Sequence, residues 1–168
     1  SNKHSDRFLE IPSRTVDARP QSTPGIDRGG SETVVWSEDF SNGLAGSSIS
    51  GAWTREGANG GIWVVNTNAP RGAFTTNSER ITSSTVGNGF AKFASDSANC
   101  TWSNGTPTVR PAGQITAWDG SLVSPWIDLS TTPQVELIFE QQSRWCCADS
   151  PFNLDIITAS GDTTTFLA

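Results

Sequence analysis

Apolar and polar residues alternate most clearly in the segment 121–161. Two short runs in it, residues 135–139 and 152–157, are rich in β-branched and aromatic side chains and are bounded by Pro, Ser, Thr or Gly, which is typical of strands. The odd-numbered positions of the first run are all apolar, as a strand buried on one face requires. A shorter strand, interrupted by a proline, is expected within residues 121–130. These three segments predict an antiparallel β domain.

Three further strands are predicted upstream, at residues 34–40, 62–65 and 90–94. Residues 99–120 show no regular alternation and are expected to be irregular. No window has apolar residues at helical spacing over three turns, so helix is not expected beyond a turn or two. The predicted fold class is therefore all-β.

The first 33 residues differ from the rest of the chain. Three prolines, a Gly-Gly pair and mixed charges leave a single apolar cluster at residues 8–12, which is too small to offset the entropy of ordering such a segment alone. We therefore expect an extended arm at residues 1–33 and one β domain at residues 34–168. The arm is either a flexible leader or a segment that docks on a neighbouring surface of this or another molecule.

The charge balance limits the partners of the chain. The net charge of −6 falls on residues 34–168, which carry six basic and twelve acidic side chains. Nucleic-acid binding relies on clustered Lys and Arg, so no nucleic-acid partner is expected. A run of eighteen apolar residues is absent from the sequence, and no membrane-spanning helix is expected. The chain starts at Ser1 without an apolar signal segment, which fits a mature secreted product or a chain whose signal has been removed.

The chain has three cysteines, Cys100, Cys146 and Cys147. Their spacing is not that of a zinc site, and the only histidine, His4, lies in the arm. One disulfide from Cys100 to either of the other two would leave one thiol over, and three free buried thiols are the alternative. A disulfide between the adjacent Cys146 and Cys147 is disfavoured, because neighbouring residues fit disulfide geometry poorly.

A series of short motifs follows a recognisable order along residues 34–161. The series opens with Glu-x-Phe, which is followed by a Trp after a variable loop and by a Gly-rich turn before a second Trp. An aromatic-Ala-x-aromatic segment before Ser-Asp comes next. The series ends with Leu-x-Ser-Pro-x-Ile-Asp-Leu-Ser and Val-x-Leu-x-Phe. The matching residues are 38–40, Trp53, 61–63, 90–93, 95–96, 122–130 and 135–139. This series resembles the jelly-roll "cleaved adhesin" or choice-of-anchor (MAM-like) domains of surface proteins that Bacteroidota export by type IX secretion.

The resemblance implies a jelly-roll β-sandwich that mediates adhesion or assembly at the bacterial cell surface. In the family, several more strands follow the one that corresponds to residues 154–158 before the sandwich closes. The sequence given ends at Ala168, so we expect either that it is the N-terminal part of a longer chain or that a partner supplies the missing strands at an open sheet edge.

Enzymatic chemistry is not expected. A Ser-His-Asp or Cys-His device would lack a base inside the domain, since His4 lies in the arm. Glu136 and Glu140 form the most tempting carboxyl pair. Their four-residue separation along one strand face corresponds to about 13 Å, whereas glycosidases place two carboxyl groups about 5 to 9.5 Å apart.

Calcium is the ion that the carboxylates of the domain suit best. Hard cations bind carboxylate and carbonyl oxygens in loops, and Glu38, Asp39, Asp96 and Asp128 lie at the ends of predicted strands. In the resembled family a structural calcium often joins the opening Glu, here Glu38, to an Asp of a late strand that this sequence lacks. We take Glu38 and Asp96 as the candidate calcium ligands. The alternative is that these carboxylates cap turns.

The seven tryptophans are candidate platforms for sugar rings, because an indole face stacks on apolar ring surfaces. Trp36, Trp63 and Trp126 adjoin apolar strand residues and are expected in the core. The candidate ligand-binding residues are the loop tryptophans Trp102, Trp118 and Trp145.

The sequence thus predicts a non-catalytic, secreted adhesion or assembly module that contacts other chains through the arm and an open sheet edge. The competing prediction is a carbohydrate-binding module of a larger secreted hydrolase, with a glycan as its ligand.

Overall fold

The computed structural model describes residues 34–47, 51–115, 118–132, 134–142 and 152–167. Within these residues the protein is all-β, with eight short strands in four antiparallel two-stranded ladders and one α-helix of four residues (α1, Ser95–Ala98). The strands are β1 (Thr54–Glu56), β2 (Trp63–Asn66), β3 (Phe90–Phe93), β4 (Cys100–Ser103), β5 (Thr106–Val109), β6 (Ser121–Val123), β7 (Asn153–Ile157) and β8 (Thr163–Leu167). The all-β class predicted from the sequence is therefore confirmed.

The described residues fall into two compact units. The larger unit contains β1 to β6 and extends to Glu140, and the smaller unit contains β7 and β8.

The β2–β3 ladder is the centre of the larger unit. Trp63 lies opposite Phe93 in the register, and the two rings are 5.3 Å apart between centroids, a favourable separation for an aromatic pair. Trp63 Nε1 donates a hydrogen bond of 3.0 Å to the carbonyl oxygen of Gly120. This bond connects the ladder to the residue before β6. The strands predicted at 62–65 and 90–94 are thus confirmed.

A close approach of two backbone segments holds β6 beside β1. Asn59 N donates to the carbonyl oxygen of Asp119 at 2.9 Å, and Asp119 N donates to Asn59 Oδ1 at 3.1 Å. A Cβ atom on Gly120 would lie 2.9 Å from backbone atoms of Asn59 and Gly60. Glycine is therefore required at position 120 for this contact.

The β4–β5 hairpin occupies part of the segment predicted to be irregular. Its turn is Asn104-Gly105, with φ angles of 48° and 77°, as a type I′ turn requires. The prediction for residues 99–120 is wrong for β4 and β5, because this turn chemistry outweighs the interruption by Pro107. Proline is tolerated in a strand that has one free edge.

The smaller unit is built on the β7–β8 hairpin, which confirms the strand predicted at residues 152–157. Leu154 lies opposite Phe166, and Ile156 follows on the same face. Ile156 is 45% exposed and Phe166 is 48% exposed. One face of the hairpin is thus apolar and largely uncovered within the described residues.

The predicted strand at residues 34–40 is wrong, because the chain bends around the carboxylate of Glu38. This carboxylate accepts hydrogen bonds from Phe40 N at 2.7 Å, Ser47 N at 3.1 Å and Trp53 Nε1 at 3.0 Å. Phe40 takes a left-handed φ of 58°, which ends the extended backbone. The rings of Phe40 and Trp53, 5.3 Å apart between centroids, then pack beside the carboxylate.

The predicted strand at residues 135–139 is also wrong, since the run joins no ladder among the described residues. Leu137 is 46% exposed and Ile138 is 68% exposed. The segment is fixed at its end, where the Glu140 carboxylate accepts hydrogen bonds from Ser84 N at 2.9 Å and Ser84 Oγ at 3.0 Å. The alternation of apolar and polar residues predicts which face of a strand each side chain occupies, but it does not specify a neighbouring strand.

The described residues bury few apolar side chains. The buried hydrophobic residues are Ala69, Phe90 and Cys100. Trp126, predicted to lie in the core, is 73% exposed, because β6 ends at Val123 and the strand predicted through residue 130 is not continued. Trp36 and Trp63 are half-buried.

Four two-stranded ladders do not give the strand order of a sandwich, so the jelly-roll topology stays a prediction. The arm at residues 1–33 lies outside the described residues. In the part of the chain that the structure describes, no helix has the length and apolar character needed to cross a membrane.

We expect Glu38→Gln to destabilise the protein by about 2 kcal/mol, because an amide has only one acceptor oxygen for the three N–H donors that the carboxylate holds. Urea denaturation at neutral pH measures the change in the free energy of unfolding. Glu136→Gln, at an exposed position, is the matched control and should leave that free energy unchanged. Equal stability of both variants and the wild type would contradict the role of Glu38.

We expect Gly120→Ala to lower the free energy of unfolding by about 1–3 kcal/mol, because the new Cβ would lie 2.9 Å from backbone atoms of Asn59 and Gly60 and the backbone would have to shift. Gly113→Ala is the control, since a Cβ there has nothing within 4 Å. Thermal denaturation of the two variants side by side checks the difference. A Gly120→Ala protein as stable as Gly113→Ala would show that β6 does not depend on this contact.

Candidate ligand-binding cleft

A cleft of about 720 Å³ opens in the larger unit, between the loop that follows β2 and the strands β3 and β4. Its charged and aromatic lining residues are Arg71, Arg80, Lys92 and Trp102. The remaining lining is small or polar, from the loop after β2 and from α1. None of the described residues that line the cleft is acidic.

Lys92 lies on β3 at one side of the cleft. Its ammonium donates hydrogen bonds to the carbonyl oxygens of Asn68 at 2.7 Å and Ala69 at 3.2 Å, which fixes the loop after β2. Burial lowers the pKa of Lys92 below its ordinary value, because desolvation disfavours the charged form. Neutral carbonyl partners only partly replace the lost hydration.

The two arginines reach the cleft from exposed positions. Arg71 Nη2 donates to the carbonyl oxygen of Gly105 at 2.5 Å, and Arg80 Nη1 donates to the carbonyl oxygen of Thr67 at 3.4 Å. Both partners are neutral. Each guanidinium has five N–H donors, so most of its hydrogen-bonding capacity is left for another group.

Trp102 supplies the aromatic wall of the cleft. The residue is 41% exposed, and its Nε1 donates to the carbonyl oxygen of Ser97 at 3.4 Å. The Arg71 guanidinium carbon lies 5.2 Å from the centre of the indole, within the range of a cation–π contact. Of the two loop tryptophans selected from the sequence that the structure describes, Trp102 lines this cleft and Trp118 does not.

The carboxylate of Asp96 is near the cleft in sequence but is committed elsewhere. It accepts hydrogen bonds from Phe74 N at 3.0 Å and Thr75 Oγ1 at 2.7 Å. Gly72 makes this possible, because a Cβ there would lie 2.1 Å from Asp96 Cγ. The buried Cys100 thiol donates to the carbonyl oxygen of Asp96 at 3.1 Å. Asp96 thus stabilises the loop at residues 74–75.

The two candidate calcium ligands have different surroundings. Glu38 is engaged by the turn at Ser47 and by Trp53, whereas Asp96 is engaged by the loop at residues 74–75. Within the described residues no group of three or more His, Cys, Asp or Glu side chains is arranged to hold a metal ion. The calcium site stays a prediction.

Two other carboxylates considered as calcium ligands cap turns. Asp39 Oδ1 accepts from Ser41 N, and Asp128 Oδ1 accepts from Ser130 N, each at 2.9 Å. These bonds from the backbone lower the pKa of both carboxyl groups below the ordinary value. The turn-capping alternative therefore describes Asp39 and Asp128.

The other candidate residues lie apart from the cleft or outside the described chain. Trp118 is half-buried and its ring N–H is buried without a partner in the described part. Trp145, Cys146 and Cys147 lie outside the described residues. Cys100 carries a free thiol and is 3% exposed, and the pairing of the other two cysteines stays a prediction.

The sequence alone did not identify the three cations of the cleft. Arg71, Arg80 and Lys92 lie in different elements and form no spaced motif. They meet because β3 pairs with β2 and brings Lys92 beside the loop that leaves β2. The arrangement is suited to binding a ligand with negative charge and a flat ring face.

Comparison with protein-family models, with curated proteins and with solved structures finds no match to this chain. The family resemblance drawn from the motifs therefore stays a prediction.

Proposed function

We propose that this chain is a non-catalytic adhesion or assembly module of a secreted bacterial surface protein, and that it acts through contacts with other protein chains. The four ladders would belong to a jelly-roll sandwich whose strand order is completed by such contacts. The resemblance of residues 34–161 to exported surface domains supports the secreted, cell-surface location. A bound structural calcium would stabilise the fold and would take no part in a chemical reaction.

The observation that carries this proposal is the uncovered apolar face of the β7–β8 hairpin. Leu154, Ile156 and Phe166 share that face, and neither strand has a second ladder partner among the described residues. An isolated two-stranded hairpin is at best marginally stable in water. Addition of a further strand or sheet would bury these side chains and satisfy the free edge.

The larger unit supports the proposal independently. Residues 135–139 are exposed and join no ladder within the described chain, and they combine four apolar side chains in five positions. Short apolar segments of high β propensity are the ones that add to a sheet edge of another molecule.

We expect the full chain to self-associate as its concentration rises, because a second copy can cover the apolar hairpin face. Sedimentation velocity over a wide concentration range measures the association. The double variant Ile156→Lys with Phe166→Lys should weaken association by about tenfold or more, since it places two charges in the contact.

Thr165→Lys is the matched control for this experiment. Thr165 lies in the same hairpin opposite Asp155, on the other face, so its substitution should leave association unchanged. A wild-type chain that stays monomeric at every concentration would contradict self-assembly, and equal weakening by Thr165→Lys would contradict the choice of face.

A second candidate function is carbohydrate binding, which the cleft beside Trp102 favours. An exposed indole in a concave, polar site is the arrangement that sugar rings use. We expect a glycan array to show a signal that Trp102→Ala abolishes. Trp126→Ala removes a more exposed tryptophan that does not line the cleft and should preserve the signal. Loss of signal in both variants would point to general unfolding or stickiness instead.

A further inference from the structure

We propose that the cleft lined by Arg71, Arg80, Lys92 and Trp102 binds a saccharide that carries an anionic group, a carboxylate or a sulfate, on its ring. This inference rests on the second candidate function, carbohydrate binding, and names the chemical class of its ligand.

The first step is the charge of the cleft. The described residues contain five Lys and Arg side chains, at positions 55, 71, 80, 92 and 110, and three of them line this one cleft. The domain as a whole is acidic. Cations held close together in a cleft repel one another, which raises the free energy of the protein without ligand. A bound anion offsets this repulsion.

The second step is that the hydrogen-bond partners of these cations within the described residues are neutral. Among the described residues, the hydrogen bonds of all three go to backbone carbonyl oxygens. The Asp96 carboxylate accepts hydrogen bonds from Phe74 N and Thr75 Oγ1 and not from these cations. Guanidinium groups bind carboxylate and sulfate oxygens through paired N–H donors. Burial lowers the pKa of Lys92, and an anion at hydrogen-bonding distance would raise it again, because a nearby negative charge favours the ammonium.

The third step is the ring platform. The Arg71 guanidinium lies over the Trp102 ring, 5.2 Å from its centre, and the indole stays 41% exposed. A sugar ring that contacts the part of the indole left exposed by Arg71 would therefore hold a ring substituent close to a cation. Inorganic anions use only the charges, and neutral sugars use only the indole. A ligand with both features uses the whole cleft.

The fourth step concerns size and length. The cleft volume of about 720 Å³ is within the range of about 300–1,000 Å³ that small-molecule sites occupy. The net negative charge of residues 34–168 disfavours a long polyanion such as nucleic acid, because phosphate binding needs cations along an extended track. One to a few sugar units therefore fit the site better than a charged polymer lying across the domain.

The test is binding of matched probes to the full chain, followed by NMR of the indole N–H groups and by calorimetry. The probes are trigalacturonate, galactose 6-sulfate, neutral galactotriose and inorganic sulfate. We expect each acidic sugar to bind about tenfold more tightly than galactotriose, because charge-assisted hydrogen bonds are added to stacking. We also expect the Trp102 indole signal to shift, and the affinity to fall as salt is added.

Two pairs of variants assign the binding to the cleft. Arg80→Gln should weaken binding of the acidic sugars by about tenfold, whereas Arg55→Gln should not. Arg55 is a fair control, since it is exposed and also donates to a carbonyl oxygen, that of Trp63 at 3.2 Å. Trp102→Ala should weaken binding of every sugar, whereas Trp126→Ala should not. If thermal denaturation shows that Trp102→Ala is unfolded, the comparison of Arg80→Gln with Arg55→Gln decides whether the acidic sugars bind in the cleft.

Each contrary result has a distinct meaning. Equal affinity for galactotriose and trigalacturonate overturns the anionic specificity and leaves carbohydrate binding standing. If inorganic sulfate binds as tightly as galactose 6-sulfate, and Trp102→Ala does not change either affinity, the proposal that the ligand is a saccharide is overturned. If none of the sugars binds, both this inference and the second candidate function are overturned. The proposal of self-association does not depend on that result. Trigalacturonate and galactose 6-sulfate compared with each other identify which anionic group the site prefers.

Discussion

The pairing of β2 with β3 is the interaction on which the rest of the larger unit depends. It sets Trp63 against Phe93, and the Trp63 ring N–H reaches the backbone of Gly120, 57 residues away along the chain. From the other side, Lys92 on β3 holds the loop that leaves β2. One ladder thus places both β6 and the cationic cleft. Without this pairing, the three cations would not be brought together in one cleft.

The thin apolar core explains why polar contacts carry so much of this architecture. With few buried hydrophobic side chains among the described residues, the turns are fixed by carboxylates such as Glu38, Asp96 and Glu140, each of which accepts two or more hydrogen bonds. Such contacts are local and strong when charged, but they do not cover apolar strands. The smaller unit likewise leaves apolar side chains of β7 and β8 exposed within the described residues.

Sequence patterns identified strands whose short apolar runs lie between turn signals, and failed for residues 135–139 and for the β4–β5 hairpin. Residues 62–65 and 90–94 were found because short apolar runs lie between glycine-rich turns. The run at 135–139 has a strong alternation yet no ladder, since alternation cannot specify a neighbour. The β4–β5 hairpin was missed although Asn-Gly is a strong hairpin signal. Trp102 was selected from the sequence as a candidate ligand-binding residue, whereas its cationic neighbours come together only through strand pairing.

The central claim is that antiparallel pairing of β2 and β3 organises the larger unit and positions the cleft. Nuclear Overhauser contacts between the two strands, combined with amide hydrogen exchange on the full chain, test this claim most directly. We expect contacts between residues facing each other in the register, such as Val64 with Lys92 and Val65 with Ala91, and slower exchange there than in residues 134–140. Absence of these cross-strand contacts, or exchange in β2 and β3 as fast as in the exposed segment, would contradict it.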